Sequence, residues 1–246
     1  MIADVVLLPC DLRPEHLRDR TVVVLDVLRA TTTMAAALAA GVREIRVFDS
    51  LHAAASAAKS HQGPRVLCGE RECLPPPGFD LGNSPGAFRA DRHGDVVAFM
   101  STTNGTRAIV AARGAAEVLI GALVNASATA RHVRRVGRDA TFVCAGTNGA
   151  IAMEDVIGAG AILDALGGSG PLELASDVAR IAQKTFEASR DDIDAALRDA
   201  QGGRNVIAAG LGADIQFAAA RDSVSVLGVV DRASLTVTRP IEGPID

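Results

Sequence analysis

Apolar positions along this chain fall into two kinds of run. Short stretches rich in valine, isoleucine and leucine predict strands, and alanine-rich stretches between them predict helices. Thr21–Val27 (TVVVLDV) is a continuous apolar run, the pattern of a strand buried on both faces. The TTTMAAALAAG after residue 30 predicts a helix capped by Thr31 or Thr32 and ended by Gly41. Arg43–Phe48 predicts the next strand, SLHAAASAAKS a helix with Ser50 as its cap, and Arg65 opens another strand. Further strands are predicted at Asp95–Met100, Glu117–Leu123 and Ala140–Gly146. Helices follow them from about Gly105, Asn125 and Glu154. Beyond Gly167 the pattern changes. LELASDVARIAQKTF and RDDIDAALRDA have the three-to-four spacing of amphipathic helices, GGRNVIAAGLGADIQFAAA is helical in part, and SVSVLGVVD and SLTVTRP close the chain as strands.

Repeated strand–helix units imply an α/β fold. The expectation is a largely parallel or mixed sheet flanked by helices on both faces, with a more helical C-terminal third. No boundary for a second unit is evident, so one domain is expected over 1–246. The alternation breaks once, at Gly69–Phe88 (GERECLPPPGFDLGNSPGAF). Four prolines and four glycines there exclude a regular element, and a long ordered loop of this kind is usually functional.

Polar chemistry collects at the predicted strand ends. Right-handed crossovers would set those C-terminal ends on one sheet edge, where ligands of open α/β sheets bind. DVLRATTT, CGERECLPPPGFDLGNSPG, STTNGT and AGTNGAIAMED each leave such an end. Thr-Asn-Gly occurs twice, at Thr103–Gly105 and forty-four residues later at Thr147–Gly149. One copy is a common turn. Two copies, each between a strand and a helix, point to a paired anion cradle rather than to hairpins, with backbone N–H groups and helix N-termini facing a negative group. Ser101, Thr102, Thr103, Thr106 and Thr147 add hydroxyl donors. Arg29, Arg71 and Arg107 offer forks for phosphate, carboxylate or sulfonate. Asp26, Glu70, Asp80, Glu154 and Asp155 offer the hard oxygens that suit magnesium. The plainer alternatives are that Asp26 caps the next turn and that Glu154 and Asp155 are ordinary first-turn helix residues. The five histidines lie away from the strand ends.

Composition narrows the classes. Of 246 residues, 48% are hydrophobic and 22% charged, which supports a packed core. A formal net charge of -4 argues against nucleic-acid binding, and with no Trp or Tyr there is little for base stacking. Lys59 and Lys184 are the only lysines, a bias that fits genomic base composition. The four cysteines form no CxxC pair and lack histidines at zinc-finger spacing, which fits reduced thiols in a cytoplasmic protein. The N-terminus has no basic region before a long apolar stretch, so no signal peptide is expected, and no apolar run suggests a membrane span. Alanine-rich helix faces are compatible with a homodimer. Walker A, Cys-x5-Arg, Asp-x-Asp and GxSxG phosphate or hydrolase motifs are all missing.

Together, VVVLDVLRATTT, CGERECLPPPGFDLGNSPGAF, STTNGTRAI and AGTNGAIAMEDVIGAGAI resemble the 2-phosphosulfolactate phosphatase family. The order and spacing fit across Asp4–Leu166, and more loosely as far as DIQF. The resemblance implies a magnesium-dependent hydrolase that converts 2-phosphosulfolactate to sulfolactate and phosphate, a step towards coenzyme M in methanogens. On this reading the strand-end chemistry makes Asp26, Arg29 and Glu70 the expected catalytic residues, and Asp26 and Glu70, with help from Glu154 or Asp155, the expected magnesium ligands. Arg71, Ser101, Thr102, Thr103, Asn104, Gly105, Arg107, Thr147, Asn148 and Gly149 would bind the phosphorylated acid. The nucleophile would be water or Asp26 itself. A non-catalytic anion-binding domain, or a phosphatase for another small phosphorylated acid, are the alternatives.

Overall fold

A computed structural model describes residues 1–240. Its elements begin with β1 (Ile2–Val6), β2 (Thr21–Leu25), α1 (Ala30–Ala39), β3 (Glu44–Val47), α2 (Leu51–Ser60) and β4 (Arg65–Gly69). After the long loop come α3 (Ala90–His93), β5 (Val97–Ser101), α4 (Gly105–Ala111), β6 (Glu117–Gly121), α5 (Ala126–Val136) and β7 (Ala140–Cys144). The remainder is α6 (Met153–Gly168), β8 (Glu173–Leu174), α7 (Asp177–Ser189), α8 (Ile193–Asp199), α9 (Gln201–Ala208), α10 (Gly212–Ala219), β9 (Gly228–Asp231) and β10 (Thr236–Thr238).

The strands form one ten-stranded mixed sheet in the order β4–β5–β3–β10–β9–β6–β2–β7–β1–β8. The α/β class with helices on both faces is as expected. β2 shows why its apolar run is continuous: Val23 and Leu25 pack towards α5 and α6, while Val22 and Val24 pack towards α1 and α4.

The shared sheet edge is not as expected. β4, β5 and β3 are parallel to one another, as are β6, β2, β7, β1 and β8. Between the groups sit β9 and β10, through the antiparallel pairings β6–β9, β9–β10 and β10–β3. Those three reversals make β3, β4 and β5 run opposite to β6, β2 and β7. The cause is the closing hairpin, whose two strands are necessarily antiparallel and which inserts between groups formed earlier in the chain. The loops meet by another route. α4 leaves β5 and packs against β2, with Ala108 and Ile109 in one apolar cluster with Val22 and Val24.

Local details follow side-chain chemistry. Ser50 caps α2 by accepting from the Ala53 N–H at 3.2 Å, as predicted. Thr31 and Thr32 do not cap α1. Their hydroxyls bond the carbonyls of Asp26 and Val27, because the helix has already begun at Ala30. Glu173–Leu174 pairs with β1 instead of opening a helix, and α7 starts after Ser176, which caps it. No helix of the described residues is long and apolar enough to cross a membrane.

Candidate active site

Asp26 is the first residue beyond β2. Leu25 lies beside Gly121 of β6 and Cys144 of β7, so Asp26 emerges between the ends of those two strands. Thr31 fixes its main chain, accepting from the Asp26 N–H at 3.0 Å and donating to the Asp26 carbonyl at 2.9 Å. The Ala30 N–H donates to Asp26 Oδ1 at 3.1 Å. The first turn of α4 closes the other side, where a Cβ added to Gly105 would stand 2.9 Å from Asp26 Oδ2. Burial pushes the Asp26 carboxyl up from 3.8 to about 6. The Ala30 amide opposes that rise, and the Glu70 charge adds to it.

Glu70, one residue past β4, ties two loops together. Its Oε1 accepts from the Thr103 N–H at 2.9 Å and the Thr103 hydroxyl at 2.5 Å. Its Oε2 accepts from the Cys73 N–H at 3.2 Å. Arg29 reaches the same loop, its Nη2 donating to the Cys73 carbonyl at 2.5 Å. The two Thr-Asn-Gly copies touch: the Asn148 N–H donates to Asn104 Oδ1 at 3.3 Å. They are nevertheless built differently. The first opens α4. In the second, Thr147 and Ala150 exchange backbone hydrogen bonds of 2.8 and 3.0 Å around Asn148 (φ 52°) and Gly149 (φ 80°). That is a two-residue turn with both central residues left-handed, the hairpin geometry that Asn-Gly favours, and α6 starts only at Met153. A matching turn at Arg71–Leu74 places Glu72 and Cys73 at φ 53° and 68°.

These segments enclose a cavity of about 390 Å³. Sequence comparison shows to which enzymes it belongs. Residues 6–233 match the family model described as 2-phosphosulpholactate phosphatase. The chain belongs to the 2-phosphosulfolactate phosphatase family. A probable 2-phosphosulfolactate phosphatase of Clostridium novyi (strain NT) is 34% identical over 227 residues, spanning 92% of this chain and 96% of the relative. Another, of Gloeobacter violaceus, is 39% identical over 219 residues, spanning 88% and 90%. Membership makes the chain a phosphoric monoester hydrolase.

In this phosphatase, Asp26, Arg29, Glu70, Arg71, Thr102, Thr103, Asn104, Thr147 and Asn148 all line the cavity. Gly105 backs it at Asp26. Ser101 is buried at the end of β5, and Gly149 forms the far side of its turn, with nothing within 4 Å of an added Cβ. Arg107 is exposed on α4 and lies outside the lining, because Gly105, Thr106 and Ala108 form that helix's buried side. Thr106 supports the wall from behind, 3.3 Å from the Thr102 hydroxyl. Asp80 is occupied elsewhere, accepting from the Leu67 N–H at 2.8 Å. No histidine of the described residues lines the cavity.

Glu154 and Asp155 lie beneath it, at the start of α6. Asp155 Oδ1 accepts from the Val27 N–H at 2.7 Å and Oδ2 from the Gly146 N–H at 3.0 Å. It is a strut between the loops after β2 and β7, and burial raises its carboxyl well above the ordinary value. Asp155→Ala therefore strands two buried amides. We expect a loss of about 2–5 kcal/mol in urea unfolding; an unchanged midpoint would refute the strut. Glu154 is also buried and raised, first by desolvation and further by the Asp26 charge. Its Oε2 has no hydrogen-bond partner.

Asn83, Glu72, Cys73, Gly202, Asn205 and Val206 also line the cavity, and sequence reasoning did not single them out. Asn83 and the Glu72–Cys73 turn fall in the long loop that was flagged as a whole. Gly202 carried a faint signal in its Gly-Gly pair: Glu154 Oε1 occupies the space a side chain there would need.

Proposed function

We propose that this chain is a magnesium-dependent phosphatase that hydrolyses 2-phosphosulfolactate to sulfolactate and inorganic phosphate. The observation that carries the reading is Asp26: a buried carboxylate on the wall of an anion-sized cavity that Arg29, Glu70 and both Thr-Asn-Gly turns also line, in a member of this family.

The cavity's charges support a cation. Asp26, Glu70 and Glu72 face Arg29 and Arg71 across it, and Asp214 already pairs with Arg29. A phosphorylated, sulfonated acid would meet net negative charge without a counter-ion. Among the described residues no group of three or more His, Cys, Asp or Glu could hold a metal ion by itself. Magnesium does not need one, since it binds through one or two carboxylates together with waters and substrate phosphate. Asp26 and Glu70 would hold it, with Glu154 and its unpartnered oxygen below. Asp155, which also braces the loops after β2 and β7, would complete the acidic set from below. Bound there, magnesium would neutralise phosphate oxygens and polarise phosphorus.

The chain's own groups supply the rest. Asp26 accepts a proton from the attacking water. The side-chain amides of Asn104 and Asn148 and the Thr147 hydroxyl would cradle the phosphoryl oxygens, together with Arg29, while the Thr103 donors hold Glu70. Arg71, exposed at the cavity, takes the sulfonate or carboxylate and orients the ester for in-line attack. Water is the preferred nucleophile because Asp26 lacks the second acidic partner of known aspartyl-phosphate motifs.

Turnover of 2-phosphosulfolactate with magnesium, followed as phosphate release, tests the reading. Activity is expected and should disappear on chelation and return with magnesium. Activity indifferent to chelation would remove the metal, and no release at all would remove the substrate. Asn104→Ala and Asn148→Ala should each weaken inhibition by inorganic phosphate about 10-fold, because each donates to one cradle. If only one does, the other turn is structural.

A further inference from the structure

Arg29 owes its position to a residue from the other end of the chain. Its Nη1 donates to Asp214 Oδ2 of α10 at 2.6 Å and to the Ser84 hydroxyl at 3.1 Å. Ser84 donates in turn to the same Asp214 oxygen at 2.8 Å. The Arg29 and Asp214 side chains are only 3% and 9% exposed. A guanidinium so buried is costly without a carboxylate, so Asp214 is what keeps Arg29 in the cavity wall. With the bond to the Cys73 carbonyl, one guanidinium joins α1, both ends of the long loop and α10.

The hydrogen-bond inventory goes further. A guanidinium carries five N–H groups. Asp214 and Ser84 take both on Nη1, and the Cys73 carbonyl takes one on Nη2. One N–H on Nη2 and the one on Nε have no protein partner, and Arg29 lines the cavity. Two neighbouring donors on a rigid plane match two oxygens of a phosphoryl group. Because Asp214 balances the charge, the remaining attraction is directional. Its strength depends on where the oxygens stand, which favours a transition state over loosely held anions.

We infer that Asp214, bridged by Ser84, is a positioning residue that aims the free donors of Arg29 at the transferred phosphoryl group. The inference rests on the proposed role of Arg29 in the phosphoryl cradle, and the test separates the two.

The test is a double-mutant cycle on kcat/KM for 2-phosphosulfolactate, with circular dichroism and thermal melts on every variant. Arg29→Lys and Asp214→Asn should each lower kcat/KM about 100-fold, chiefly through kcat. The double variant should be no worse than Arg29→Lys by more than about 3-fold. A double variant that shows the product of the two losses overturns the inference, because Asp214 then acts independently of Arg29. So does Asp214→Asn within about 3-fold of wild type. A wild-type-like Arg29→Lys instead removes Arg29 from the cradle, and the inference falls with it. If Asp214→Asn does not fold, Ser84→Ala replaces it in the cycle. It should cost about 10-fold alone and nothing further with Arg29→Lys, whereas equal losses in both backgrounds overturn the inference.

Discussion

Asp26→Asn should abolish turnover and, at pH 8, leave a more stable protein. The activity loss, about 10³-fold or more in kcat, follows from removing the proposed proton acceptor and the proposed metal-binding oxygen together. The stability gain follows from linkage. Asp26 in the folded chain holds its proton up to about 6, against 3.8 for an ordinary aspartate. A raised carboxyl contributes most to stability below the unfolded value and loses that contribution as pH rises through the folded value. The native protein therefore carries a penalty of roughly 3 kcal/mol above pH 6, imposed by ionising a buried acid. Asparagine avoids it but offers one acceptor oxygen where the carboxylate offers two, so a net gain of about 1–2 kcal/mol is expected. Urea unfolding of both proteins at pH 8 and pH 5 measures it. The gain should fall to about zero near pH 5 and turn into a small loss below about pH 4, where wild type no longer carries the ionisation penalty. Activity within about 10-fold of wild type would remove Asp26 from the reaction.

Gly105→Ala should be nearly as damaging, from a methyl group alone. The added carbon would stand 2.7 Å from Ala30 Cβ, 2.9 Å from Asp26 Oδ2 and 3.3 Å from Thr102 Oγ1. None of these can give way easily, since Ala30 and Asp26 are held by the start of α1 and Thr102 by Thr106. Overpacking of this kind costs about 1–3 kcal/mol in stability. Displacing the Asp26 carboxylate should lower kcat/KM about 100-fold. The equivalent glycine of the second copy has a different reason to be there. Gly149 has open space around it but sits at φ 80°. Gly149→Ala should cost stability of about 1 kcal/mol through the backbone. Assays and melts on the two variants separate contact from conformation. A Gly105→Ala enzyme with normal kcat/KM would show that α4 does not press on the carboxylate.

These contrasts mark what the sequence made legible. The strand runs, the long loop and the strand-end motifs were visible because apolar period and turn chemistry are local signals. They placed Asp26, Glu70, Thr103 and Asn104 in one cavity correctly. The direction of β3–β5 was not visible, because it is set by a hairpin at residues 228–238 that inserts between strands formed long before it. Reading Asn148–Gly149 as part of a strand-to-helix junction was right about its neighbours. It missed the two-residue turn itself, since α6 starts four residues after Gly149 at Met153. Arg107 looked like a cradle residue from its motif, but helical period turns it outward beside the buried Thr106 and Ala108. Asp155 offers ligand oxygens by residue type, and only the fold shows that both also accept amides of the loops after β2 and β7. Asn205 has no motif, and Asp214 falls in DIQF, the loosest part of the resemblance. Asn205 lines the cavity from α9 and Asp214 meets the site through Arg29 from α10, a packing that one-dimensional spacing does not encode.

On the proposed function the cavity selects a phosphorylated acid bearing a sulfonate. The most direct measurement is kcat/KM, with magnesium, for 2-phosphosulfolactate, for 2-phospholactate lacking the sulfonate, and for p-nitrophenyl phosphate lacking both acid groups. 2-Phosphosulfolactate should rank first, about 100-fold above the simple aryl phosphate, with 2-phospholactate between them. Equal values across the three, or a higher value for either comparison ester, would contradict it.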